Sequence, residues 1–248
     1  MMDKDYNAYL DLHCHYDELK ADYLRETIIK NNILALSASV DTTSYKRLEE
    51  LNKEKIPGLY FAYGLYPDVI LNKSISNLVE ELNKINFENS IAIGEIGLDY
   101  KITKDQELRN NEKILFIKQI EIAEKLNKPI IVHTRYATKA TLDVLKDYNK
   151  LKVVLHWFSG NPEEIKEALN RGYYFTQRFG KPKIENINER LDHIFIETDY
   201  PVFRDGDPLE ITNIIESYKV FCKEYSLEES EIKKRIINNF YKVFNIDK

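Results

Sequence analysis

The chain alternates short apolar runs with longer amphipathic stretches along most of its length. The short runs are rich in β-branched and aromatic residues, which is typical of strands that are buried on both faces of a parallel sheet. Eight such runs predict eight strands. They cover residues 8–12, 33–38, 59–65, 91–96, 129–133, 152–155, 173–176 and 194–197.

The stretches between the strands carry apolar residues at helical spacing. In the longest one, Ile114, Ile117 and Ile120 recur with this period, so we expect that face to lie on the sheet. Strands that alternate with helices predict βαβ units, and eight of them favour a (β/α)8 TIM barrel over an open doubly wound sheet. Without repeats or linker-like segments, we expect one domain over residues 1–248. The predicted helices cover residues 22–32, 45–53, 75–83, 107–126, 138–148, 163–170 and 209–224.

The composition is that of a soluble globular protein, with 43% hydrophobic and 31% charged residues. No apolar run approaches the roughly 20 residues of a membrane helix, and the N-terminus lacks a signal-peptide pattern, so we expect a cytoplasmic protein without membrane contact. Cys14 and Cys222 form no C-x-x-C pattern and predict no disulfide framework. The net charge of -5 argues against an architectural nucleic-acid binder, but metal ions can supply local positive charge to an enzyme that acts on phosphates.

Ionisable residues gather at the predicted strand ends, where the chemistry of a TIM barrel is found. Alternation along the first strand directs His13 and His15 to the same side. The fifth histidine of the chain, His193, precedes the eighth strand, and we expect it at the opposite end of the barrel. The candidates at the strand ends are four histidines and two acids: His13, His15, Glu95, His133, His156 and Asp199.

Imidazole and carboxylate groups in one place predict a metal centre. Six ligands exceed one tetrahedral site, and a carboxylate can bridge two ions. We therefore expect two divalent ions (Mg²⁺, Mn²⁺ or Zn²⁺) with Glu95 between them, one near His13 and His15 and the other near His133 and His156. Each histidine alone could instead have a structural role, but their coincidence at separate strand ends favours a shared site.

Five segments, taken in order, resemble the TatD family of metal-dependent deoxyribonucleases within the amidohydrolase-like barrels. They are D-L-H-C-H at residues 11–15, G-E-I-G-L-D-Y at 94–100, P-I-I-V-H-T-R at 129–135, L-H-W-F-S-G at 155–160 and E-T-D-Y-P at 197–201. The resemblance implies a phosphodiesterase-type nuclease. One ion would be bound by His13, His15, Glu95 and Asp199, and the other by Glu95, His133 and His156.

The resemblance also implies roles in catalysis and substrate binding. Asp199 would orient the attacking water and take its proton, and Glu95 would bridge the ions. Related amidohydrolases often carry a carbamylated lysine where this chain has Glu95, which favours the nuclease branch. Arg135 would bind a phosphate, or else pair with a neighbouring acid. Tyr66 and Trp157 would contact the substrate, which we expect to be single-stranded DNA or DNA ends.

Three positions depart from the family pattern. Tyr66 replaces the histidine of G-L-H-P, Tyr136 stands where the family commonly has aspartate, and Trp157 replaces the cysteine of H-C-F-S-G. The tryptophan is similar to that of members associated with anti-phage defence, which implies protein partners in a defence complex. Two alternatives are hydrolysis of another ester, amide or small phosphate, and a metal-bound scaffold subunit with a weakened site.

Overall fold

The computed structural model describes residues 5–178, 187–204, 207–208 and 210–246. Eight parallel strands form one sheet whose spatial order follows the chain order from β1 to β8. This arrangement confirms the predicted (β/α)8 barrel. The strands are β1 (Tyr9–Cys14), β2 (Ile33–Ala38), β3 (Leu59–Tyr63), β4 (Ala92–Asp99), β5 (Ile130–Arg135), β6 (Val153–His156), β7 (Tyr174–Arg178) and β8 (Ile194–Glu197).

The barrel closes between the first strand and the residues that follow the last one. The backbone N–H of Asp199 donates to the carbonyl of His13 at 3.0 Å, and the N–H of His15 donates to the carbonyl of Tyr200 at 2.8 Å. The closing hydrogen bonds therefore involve three of the candidate site residues themselves.

Helices connect the strands and cover the outside of the barrel. They are α1 (Ala21–Asn31), α2 (Thr42–Lys53), α3 (Ile75–Leu82), α4 (Gln106–Leu126), α5 (Thr138–Leu145), α6 (Pro162–Asn170), α7 (Ile187–Arg190), α8 (Asn213–Tyr225) and α9 (Glu229–Phe244). Short strands β9 (Phe203–Arg204) and β10 (Asp207–Pro208) pair antiparallel after β8, and the sequence pattern did not predict them or the one-turn α7. The predicted helix 209–224 begins outside the described residues, and α8 starts at Asn213.

The buried face of α4 includes Ile120, as the isoleucine spacing predicted, but not Ile114. Ile114 is 43% exposed, whereas the polar Glu112 and Gln119 are buried. Both polar side chains meet backbone groups of the barrel, which accounts for their burial. The amide of Gln119 accepts from the N–H of Leu65 at 2.7 Å and donates to its carbonyl at 3.0 Å, and Glu112 accepts from the N–H of Asp99 at 2.9 Å.

A glycine allows β4 and β5 to approach closely beside the site. Gly97 has φ +144°, and a Cβ added there would lie 2.0 Å from the carbonyl oxygen of His133, its register partner on β5. Only a residue without a side chain fits this contact. The backbone of β4 is thereby held directly against that of a candidate metal ligand.

Both cysteines, Cys14 and Cys222, are buried free thiols, as their spacing predicted. Within the described part of the chain, none of the helices combines the length and the apolar character that a membrane crossing requires.

Candidate metal centre

Glu95 lies at the middle of the candidate site, and each of its carboxylate oxygens faces two histidines. Oε2 is 3.3 Å from Nε2 of His13 and 3.4 Å from Nε2 of His15. Oε1 is 2.9 Å from Nδ1 of His133 and 3.8 Å from Nε2 of His156. Four side chains from β1, β5, β6 and the residue after β1 therefore converge on one carboxylate from β4.

Asp199 approaches the same centre from the loop after β8. Its Oδ1 lies 3.8 Å from Nε2 of His13, 3.7 Å from Nε2 of His15 and 3.9 Å from Nε2 of His156. The backbone of Asp199 is left-handed, with φ 57°, which is an uncommon conformation for a residue other than glycine and is most often adopted by Asn and Asp. The structure thus brings together all six residues that were selected at the predicted strand ends.

Two overlapping groups of donor atoms are close enough to hold ions. The ligand atoms of His13, His15 and Asp199 lie within 4.8 Å of one another, and so do those of His13, Glu95 and His156. His13 thus belongs to both groups, whereas the resemblance implied that Glu95 alone is shared. His133 belongs to neither group, although its Nδ1 faces Glu95.

Hydrogen bonds behind three of the histidines determine which ring nitrogen faces the centre. Nδ1 of His15 lies 2.9 Å from the carbonyl oxygen of Ala38, and Nδ1 of His156 lies 2.8 Å from Oε2 of Glu197. Since these partners only accept, each Nδ1 carries a proton, and Nε2 is the nitrogen that can bind an ion at the centre. A metal-ligating histidine is held in this way.

His133 is held by the opposite nitrogen. Its Nε2 is 3.3 Å from Oδ2 of Asp99 and 3.1 Å from the hydroxyl of Tyr66. Because the Tyr66 hydroxyl donates to Asp99 at 2.8 Å, its oxygen is available to accept from the ring. Nδ1 of His133, which points at Glu95, is therefore the ring nitrogen that can bind an ion once its proton is displaced.

His13 is buried and neither of its ring nitrogens has a hydrogen-bond partner among the described residues. Buried polar atoms of this kind are normally satisfied, so an unsatisfied imidazole at the centre of a ring of donors indicates a ligand. Burial lowers the pKa of His13 and of His156, so both rings are neutral and keep a lone pair for a cation. The donor set therefore fits divalent metal ions.

The charges of the remaining groups are coupled. Although burial opposes ionisation, the surrounding histidines hold the pKa of Glu95 well below its usual value. Burial lowers the pKa of His15 and His133, but the neighbouring carboxylates outweigh it and raise the pKa of both to about 9. Burial raises the pKa of Asp199 despite three nearby histidines. Ion binding at these rings must displace protons.

Further acids, which the sequence reasoning did not select, surround the centre. Asp11 is buried and accepts from the N–H of Thr198 at 2.9 Å and from its hydroxyl at 2.6 Å, which ties β1 to the segment that carries Asp199. Glu197 and Asp99 orient His156 and His133, as described above. All three lie inside the segments that carry the resemblance. Their position next to candidate ligands in the sequence is the feature by which they could have been found.

A cleft of about 900 Å³ opens above the centre. The three predicted substrate contacts, Tyr66, Arg135 and Trp157, all line it. Arg135 pairs with Asp99 through Nε at 2.8 Å and Nη2 at 2.5 Å, so it adopts the acid-pairing alternative while its side chain remains 45% exposed in the cleft. Trp157 is half-buried, and its backbone N–H donates to the hydroxyl of Thr176 at 2.7 Å.

Comparisons with known proteins agree with this geometry. Residues 10–245 match the model of the family "TatD related DNase". The chain is 30% identical to the uncharacterized metal-dependent hydrolase YcfH of Escherichia coli K12, covering 96% of both chains, and 28% identical to deoxyribonuclease TATDN3 of Homo sapiens, covering 89% of both. The crystal structure of YJJV, a TatD homolog from Escherichia coli, superimposes with a TM-score of 0.80 at 22% identity over 96% of this chain and 98% of that one.

Proposed function

Because the chain belongs to the TatD family of metal-dependent hydrolases, we propose that it is a deoxyribonuclease that hydrolyses phosphodiester bonds with two divalent ions. The observation that carries the proposal is the convergence of His13, His15, His156 and Asp199 around Glu95 at the floor of an open cleft. The name of the human relative, a deoxyribonuclease, supports DNA as the substrate.

The residues that would hold the ions are Glu95 and the five that surround it. His13, His15 and Asp199, whose donor atoms lie close together, would hold one ion. His156 and His133, which both face Oε1 of Glu95, would hold the other, as the resemblance implies, with Glu95 between the two. Bound divalent ions supply a water that is nucleophilic at neutral pH and neutralise the charge on the phosphate oxygens.

The protein's own contribution is to orient these groups and to move the proton. Asp199 lies at the rim of the donor ring and lines the cleft, where its carboxylate can accept a proton from an attacking water. Its backbone hydrogen bond to His13 fixes the position from which it accepts the proton. Glu197 and Asp99 keep His156 and His133 in the tautomers that ion binding requires.

The cleft wall favours a phosphodiester strand. The guanidinium of Arg135 and the exposed amine of Lys101 place positive charge beside the centre, where it can contact phosphates next to the one that is cleaved. Trp157 offers an aromatic surface to an unpaired base. We therefore expect cleavage of single strands or of strand ends rather than of the interior of a duplex.

Cleavage of end-labelled oligonucleotides tests the proposal. The Mn²⁺-loaded protein is expected to cleave single-stranded DNA, to lose this activity with a chelator, and to lose it on Asp199→Asn while the circular dichroism spectrum is unchanged. Activity on esters or amides but not on DNA, or tight partner binding without any turnover, would exclude a nuclease. A defence role stays a prediction from Trp157, and plaque counts of host cells with and without Asp199→Asn test it.

A further inference from the structure

Tyr136 is the most exposed of the large hydrophobic side chains that the structure describes, with 78% of its surface accessible. Within those residues it forms no hydrogen bond, ion pair or ring contact. Both faces of the ring are therefore accessible beside the cleft, where an aromatic face can stack on a base.

The ring stands on the boundary between two cavities. Tyr136 lines the 900 Å³ cleft above the metal centre, and it also lines a neighbouring groove of about 500 Å³ that continues over the start of α5. A chain bound in the cleft that extends past this boundary must cross the face of the ring. A nucleotide that leaves the cleft on this side therefore passes Tyr136.

The backbone on both sides of Tyr136 is anchored. The carbonyl of Arg135 accepts from the N–H of Tyr100 at 2.9 Å, and its side chain is bound to Asp99. Ala137 is buried and its carbonyl accepts from Thr141 at 2.8 Å. Tyr136 itself is left-handed, with φ 56°, a conformation that costs about 1 kcal/mol or more for such a residue. The anchored backbone fixes the position from which the ring projects, so little loop entropy is lost on stacking.

The charges on the two sides of the ring differ. On the cleft side Arg135 and Lys101 accompany Asp68, Glu95 and Asp199, whereas Asp143 and Glu164 line the groove beside Lys139. Divalent ions held at the centre would add positive charge to the cleft side alone, so phosphates would favour the cleft over the groove. This division suits a nucleotide whose phosphate lies in the cleft and whose base lies over Tyr136 toward the groove.

We infer that Tyr136 is a stacking platform for one unpaired base next to the scissile phosphate, a subsite that selects single-stranded DNA and that rests on the proposed nuclease function. A base reaches the ring only when it has left the duplex, because both of its faces are covered by neighbours in stacked DNA.

A binding cycle tests the subsite. The ligand is a hydrolysis-resistant phosphorothioate oligothymidylate, and its Kd for the Mn²⁺-loaded protein is measured by fluorescence anisotropy. Tyr136→Ala is expected to weaken binding about 5- to 100-fold. Tyr136→Trp is expected to restore it, since it keeps an aromatic face. The matched control is Tyr6→Ala, because Tyr6 is also exposed but precedes β1 at the opposite end of the barrel.

Oligonucleotides with one abasic site, moved along the chain, identify the base that stacks. At one position the abasic site should weaken binding to the wild type as much as Tyr136→Ala does, and should cause no further loss in that variant. With cleavable single strands, Tyr136→Ala should raise KM and leave kcat unchanged. Unchanged binding by Tyr136→Ala, or additive losses at every position, overturns the subsite while cleavage by the wild type upholds the nuclease. A wild type that neither binds nor cleaves any oligonucleotide overturns both.

Discussion

The contact between Glu197 and His156 offers a direct test of how the site is built. Nδ1 of His156 lies 2.8 Å from Oε2 of Glu197, and the two side chains are 3% and 0% exposed. Glu197→Gln keeps the size of the side chain and an acceptor oxygen but removes the charge. A hydrogen bond to a charged group contributes about 1.5–3 kcal/mol and a neutral one about 0.5–1.5 kcal/mol. The difference of about 1–1.5 kcal/mol corresponds to roughly tenfold weaker metal binding.

The Kd for Mn²⁺, measured by isothermal titration calorimetry, gives the result. Glu112→Gln is the matched control, because Glu112 is also a buried carboxylate but accepts from the backbone N–H of Asp99 rather than from an imidazole. We expect a weaker Kd for Glu197→Gln and an unchanged Kd for Glu112→Gln, with both proteins folded by circular dichroism. Equal affinities of Glu197→Gln and the wild type would refute the idea that this carboxylate prepares His156 as a ligand.

Three further predictions concern stability. Gly97→Ala is expected to lower the free energy of unfolding by more than about 3 kcal/mol or to prevent folding, because the added Cβ would lie 2.0 Å from the carbonyl oxygen of His133. A urea midpoint equal to that of the wild type would contradict this prediction. Burial raises the pKa of Glu112 to about 7, well above its value in the unfolded chain, so wild-type stability should fall by about 2 kcal/mol as pH rises from about 5 to 7. Glu112→Gln should lack this fall in chemical denaturation, and parallel pH profiles would contradict the assignment. Mn²⁺ at a hundred times its Kd should stabilise the folded protein by about 2.7 kcal/mol. Calorimetry should therefore show that a chelator lowers the Tm. A Tm that does not change would mean that no ion binds the folded state.

The barrel and the candidate ligands could be predicted from the sequence because the information is local. An apolar run that ends in a polar residue marks the carboxyl end of a strand, and in a parallel barrel those ends meet. The same reasoning places a residue that precedes a strand, such as His193, at the opposite end of the barrel. It precedes β8, where its Nδ1 lies 3.1 Å from the carbonyl oxygen of Tyr173, away from the cleft, as predicted.

The polar residues that support the ligands could not be predicted in this way, because their partners are on other strands. Glu197 ends β8 within an apolar run, and only the barrel brings it to His156 at the end of β6. The buried polar face of α4 was missed for the same reason. Glu112 and Gln119 are buried because backbone groups near β3 and β4 accept and donate opposite them, and helical spacing alone contains no information about those groups.

The spacing of Glu95 and Asp99 on β4 can be interpreted only together with β5, which carries His133. The two acids contact opposite nitrogens of the same ring: Oε1 of Glu95 is 2.9 Å from Nδ1 of His133, and Oδ2 of Asp99 is 3.3 Å from its Nε2. Four residues of a strand span about 13 Å, so the two carboxylates must approach the ring from below and from above. Gly97 between them lets the strands touch at His133. A strand that carries glutamate, glycine and aspartate at every second position thus fixes the place and the orientation of a histidine on the next strand.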